Sequence, residues 1–126
     1  MNQDVLSFFD GKQDELSLYE AFEQKVFAEM DGVKIKVQKT QISFANKYNF
    51  AFVSFLPVRK AKERPKKYIV ITFGLGYHLE SLRIDAASEP YPNRWTHHVL
   101  ISEEKEIDEE LMGWIKEAGA FALGKR

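Results

Sequence analysis

Apolar side chains recur at steps of three and four at Leu18, Tyr19, Phe22, Val26 and Met30, so residues 14–30 are expected to form an amphipathic helix with Glu15, Glu20 and Glu23 turned to water. Gly32 ends it. The period then changes from helical to alternating. Val33, Ile35 and Val37 alternate with Lys34 and Lys36, the pattern of a strand with one face on a core, and Ile42 and Phe44 continue it after a turn near Lys39 and Thr40. Residues 50–56 and 68–73 are apolar at nearly every position, which predicts central strands covered on both faces, with helices supplying the cover. Residues 95–101 read as a fifth strand. In the last segment Ile107, Leu111, Trp114, Ile115, Ala118, Phe121 and Ala122 form one stripe, predicting a helix over 108–122 with Asp108 as its N-cap and Ile107 stapled to Met112.

Two connections carry no such pattern. Residues 57–67 lack apolar periodicity and contain Pro57 and Pro65, so they are expected to form a hairpin loop that projects its bases into solvent. Residues 74–94 are long for a structureless connection in a compact domain, and Leu82, Arg83 and Ile84 are the expected hidden strand. No crossover helix separates the strands. The expected fold is therefore a single α+β domain: a mainly antiparallel sheet of about five strands with an N-terminal and a C-terminal helix packed on it.

Composition narrows the class. A chain of 126 residues has the length of one domain. It has no Cys, which excludes a disulfide framework, a thiol nucleophile and a thiolate metal site, and makes a cytoplasmic location the expectation. No apolar run has the length of a signal peptide or a membrane span, so no membrane partner is expected. The net charge of −1 argues for no partner, but the charges are segregated. Arg59, Lys60, Lys62, Arg64, Lys66 and Lys67 stand against Glu63 alone, while residues 103–110 hold six acids against Lys105 and would place negative charge near a helix N-terminus.

The densest chemistry lies in Tyr91-Pro92-Asn93-Arg94-Trp95-Thr96-His97-His98-Val99. Together with Phe9-Asp10-Gly11-Lys12, Lys39-Thr40-Gln41-Ile42-Ser43-Phe44, Thr72-Phe73-Gly74-Leu75 and Glu89-Pro90, this stretch resembles the bacterial domain-of-unknown-function family 5655 over nearly the whole chain. The resemblance implies an uncharacterised domain found alone or as a tail on larger proteins, and it brings no catalytic residues.

Arg94 beside Trp95, with Tyr91 and Tyr77 nearby, is suited to stacking a planar ligand and gripping an anion, because guanidinium offers forked donors and aromatic rings offer faces. Lys39, Thr40, Gln41 and Ser43 would add polar groups if their turn lies close, giving a ligand site of Arg94, Trp95, His97, His98, Lys39, Gln41 and Tyr91. The structural alternative is a Trp95 core plug with Arg94 paired to Glu89. Adjacent strand residues point to opposite faces, so His97 and His98 cannot share one metal without a bulge; a site would need His78 with Asp85 or Glu89, and no metal or other cofactor is expected. A histidine oriented by Asp85 or Glu89 could act as an acid or base, but no nucleophile or phosphate-loop signature accompanies it, and Glu103-Glu104-Lys105 is too short a match to a nuclease site to carry weight.

The primary expectation is a non-catalytic module that binds a small molecule or a protein around Arg94 to His98. The alternatives are a nucleic-acid-associated domain using Arg59, Lys60, Lys62, Arg64, Lys66 and Lys67, and a hydrolase-like enzyme with a histidine and a carboxylate.

Overall fold

The computed structural model describes residues 2–124. The helices are α1 (Gln3–Phe8), α2 (Gln13–Glu29) and α3 (Glu109–Gly124); the strands are β1 (Lys34–Val37), β2 (Gln41–Ala45), β3 (Asn49–Ser54), β4 (Ile69–Leu75), β5 (Ala86–Tyr91) and β6 (Arg94–Ile101). All six strands form one antiparallel sheet in the order β1-β2-β3-β4-β6-β5. The α+β class with terminal helices is as expected.

Cross-strand partners share a face. Phe44 pairs with Ala51 and Ala51 with Phe73, so these three side chains point the same way. Phe22 of α2 meets Phe44 at a ring distance of 5.3 Å, and Trp114 of α3 stacks on Phe73 at 6.0 Å. Both long helices therefore lie on one side of the sheet. The core between them holds Tyr19, Phe22, Val26, Ile42, Phe44, Val53, Ile71, Phe73, Val99, Leu111 and Ile115, all buried.

Several expectations are corrected. The hidden strand in 74–94 is β5 (Ala86–Tyr91) and not Leu82 to Ile84; Leu82 is fully exposed. An additional short helix, α1, precedes α2, and Gly11 (φ +74°) turns the chain between them. Glu15 is buried rather than turned to water, and half-buried Glu23 accepts a 2.6 Å hydrogen bond from the Tyr19 hydroxyl. The deeply buried phenol is pushed far above its usual range, chiefly by desolvation.

Neither long helix covers the second face of the central strands. There Val70 and Leu100 are nevertheless buried. The segment after β3 reaches from β3 to the start of β5, where Arg59 Nε donates to Asp85 Oδ1 at 2.7 Å and Asp85 Oδ2 accepts from the Leu100 amide at 2.7 Å. Arg59 is thus drawn out of the solvated loop, while Lys67 stays exposed in a surface pair with Asp14. Asp108 caps α3 as expected, its Oδ1 accepting from the Leu111 amide at 3.0 Å.

Candidate functional site

The face opposite the two long helices is written by two cross-strand rows, Gln41, Ser54, Val70 and Leu100, and Ser43, Phe52, Thr72 and His98. Short polar side chains leave room above the sheet. The polar end of this face is walled by Ser7 and Phe8 of α1, by Lys39 and Thr40 of the β1–β2 turn, and by Phe55 and Leu56 beyond β3. They line an open cavity of about 680 Å³, within the few-hundred to thousand Å³ range of small-molecule sites.

Its apolar wall is held by ring packing: Phe55 stacks on Phe8 at 5.4 Å and meets the edge of buried Phe9 at 5.6 Å. Lys12 lies over the outer part of this wall, its Nζ 4.9 Å from the Phe55 centroid. On the floor, Thr72 Oγ1 and His98 Nδ1 are 2.8 Å apart, so one donates to the other and Nε2 takes the complementary role. Burial holds the His98 imidazole below its ordinary range, which keeps the ring neutral near pH 7. Ser43 Oγ and Gln41 Nε2 both donate to Gln38 Oε1, at 2.6 and 3.2 Å, and fix that side of the opening.

His98, Lys39 and Gln41 therefore converge on one cavity, whereas the other candidates at 91–97 do not join them. His97 faces the helices, fully buried and stacked on Phe73 at 5.2 Å. Its Nε2 accepts from the Leu79 amide at 2.9 Å, and Nδ1 makes no well-formed hydrogen bond among the described residues. Desolvation lowers its pKa, opposed by a looser backbone contact with Phe73. Trp95, on the same face, stacks on His78 at 4.5 Å. Arg94 and Tyr91 pair at the β5–β6 hairpin, four strand positions or roughly 13 Å from His98. There Asn93 adopts a positive φ of 61° and Glu89 Oε2 accepts its amide at 2.9 Å.

The carboxylates and bases are similarly accounted for. The Asp85 carboxylate is engaged by Arg59 and the Leu100 amide, and that of Glu89 by the Asn93 amide. Among the described residues neither carboxylate is hydrogen-bonded to a histidine ring, Asp85 meeting His98 only through its backbone amide, which donates to the His98 carbonyl at 2.9 Å. Also among the described residues, no group of three histidine or acidic side chains could hold a metal ion, and no helix is long and apolar enough to cross a membrane. Glu103 and Glu106 form a capping box, and Glu103 pairs with Lys105 at 3.1 Å. Lys60, Lys62 and Lys66 are exposed and Arg64 is half-buried.

Sequence reasoning missed Ser7, Phe8, Lys12, Ser54, Phe55, Leu56 and Thr72 as parts of one site. A signal existed for two of them. Ser54 and Thr72 are the small polar interruptions of two otherwise apolar strand runs, and polar interruptions on adjacent central strands mark where a face stops being core.

Comparison with known proteins gives one result. A family model described as a domain of unknown function (DUF5655) matches residues 5–121 of the chain. No curated protein and no solved structure matches it significantly.

Proposed function

The chain belongs to the DUF5655 family, whose description names no activity, and from that premise we propose on geometric grounds a non-catalytic module that binds a small molecule in the cavity on the face opposite the two long helices. One observation carries the reading: an apolar wall of Phe8, Phe55 and Leu56 faces a small set of convergent polar groups, Gln41, Ser54, Thr72 and His98, in a volume suited to a small ligand. Apolar area supplies affinity in such a site, and the polar groups fix orientation. The absence of catalysis is part of the proposal: the one imidazole at the cavity is hydrogen-bonded to a threonine and not to a carboxylate that would orient it as a base.

The test is a fragment screen by saturation-transfer NMR on the wild type and Ser54→Trp, a substitution that fills the cavity from its floor without touching the helical core. Fragments that bind the wild type are expected to lose their signal in the variant, with circular dichroism unchanged. Retention of every hit in a folded variant would place binding elsewhere and end this reading.

A further inference from the structure

We infer that the cavity takes an organic anion, with an apolar body against Phe8, Phe55 and Leu56 and a carboxylate-type head between Lys12 and Lys39 at the mouth. This inference rests on the reading of the cavity as a binding site and adds the chemical class of its occupant.

Local charge is the first argument. The chain carries 19 acids and 18 bases, yet the residues lining this cavity include two lysines and neither Asp nor Glu. A concave site of one sign, with low-dielectric walls, concentrates the opposite charge. The second argument is position: Lys34, Lys36, Lys47, Lys60, Lys62 and Lys66 also form no ion pair among the described residues, but of the unpaired lysines Lys12 and Lys39 are the ones that line the cavity. Lys67, Lys105 and Lys116 are paired with Asp14, Glu103 and Glu29, and Lys25 donates to the Ile107 carbonyl. Lys12 and Lys39 form no ion pair among the described residues; Lys12 rests only on the face of Phe55, and both side chains are exposed at the rim. The cations are thus in place at the rim with no ion pair among the described residues, and Asp4 shares only an adjoining pocket with Lys39.

The remaining groups narrow the head group. Ammonium groups act as point charges, and the lining contains no arginine fork and no glycine-rich loop of the kind that wraps phosphate oxygens. A singly charged carboxylate or sulfonate matches two rim lysines. Deeper in, the neutral Thr72–His98 pair can exchange hydrogen bonds with a polar substituent without adding a competing charge. Apolar walls and a cationic mouth together describe an amphiphilic acid.

The experiment uses two matched pairs of probes, naphthalene-1-carboxylate with naphthalene-1-carboxamide, and octanoate with octanamide, titrated into the full ¹⁵N-labelled chain. Amide shifts are read for the wild type and for Lys12→Gln/Lys39→Gln. The expected result is that a carboxylate shifts the amides of Phe8, Lys39, Gln41, Phe55 and His98 and binds about tenfold more tightly than its amide, the scale of two exposed ion pairs. In the double variant the preference should shrink to within about twofold. Equal binding of acid and amide at those same positions would overturn the anion inference while leaving the cavity as a site. Shifts at none of those positions with any probe would overturn both.

Discussion

The His97 ring has one satisfied nitrogen and one that is not. Because Nε2 accepts from the Leu79 amide, Nδ1 carries the ring proton, and it points into a buried space with no good acceptor. Protonation would convert Nε2 into a second donor facing that amide and break the bond. Burial also holds His97 and His98 below the ordinary imidazole value of about 6.5. A histidine whose folded-state pKa is depressed stabilises the fold fully above its unfolded value, and that contribution is lost as pH falls from about 6.5 toward the folded value. Urea unfolding of the wild type is therefore expected to show stability declining between pH 7 and pH 5. His97→Phe should show a shallower decline, with a loss of about 1–3 kcal/mol at pH 8 from the orphaned Leu79 amide. A flat wild-type profile over that range would refute this account. The same geometry explains His97 by packing, without a ligand.

The long helices and the strands facing them were legible because burial on one side writes a period into the chain. Phe22 and Val26 of α2, and Leu111, Ile115 and Ala118 of α3, are buried at the spacing that marked them in the sequence. Where no burial discriminates between faces, no period appears. β5 reads Ala-Ala-Ser-Glu-Pro-Tyr and is exposed at every position but Ala87, so its sequence carries no alternation, and α1, at 6 residues, is shorter than two turns. Within α3 two glycines offer a contrast. A Cβ on exposed Gly113 would meet nothing within 4 Å, whereas one on Gly119 would lie 2.6 Å from Met30 Cε. Gly113→Ala is expected to add about 0.5–1 kcal/mol by removing backbone freedom from the unfolded chain, raising the melting temperature by a few degrees. Gly119→Ala gains the same propensity but must displace Met30, so its melting temperature should fall below that of Gly113→Ala; calorimetry on both variants checks the order.

At the scale of the molecule, the residues of the candidate cavity come from α1, the α1–α2 turn, the β1–β2 turn, the segment after β3 and four strands, which is why of its lining only His98, Lys39, Thr40 and Gln41 were nominated in advance. Sequence proximity drew Arg94, Trp95 and His97 to the same cluster, although the pleat sends neighbours to opposite faces and the hairpin carries Arg94 to the sheet's end. The basic segment illustrates a similar redistribution. With Arg59 and Lys67 paired to acids, Lys60, Lys62, Arg64 and Lys66 remain, so any binding to single-stranded DNA should weaken with a log–log salt slope no steeper than about −3. Fluorescence anisotropy from low to moderate salt measures that slope, and a markedly steeper value would mean that cations outside this segment take part. Strand order has a consequence for how the chain assembles. From β1 through β4 each strand lies beside the one made before it, so this part can zip together through local hairpins. β5 has no neighbour except β6, which comes later in the chain. The far edge of the sheet therefore cannot grow in chain order: β5 has no partner until β6 is made, and pairing β6 with β4 closes the longest loop between paired strands.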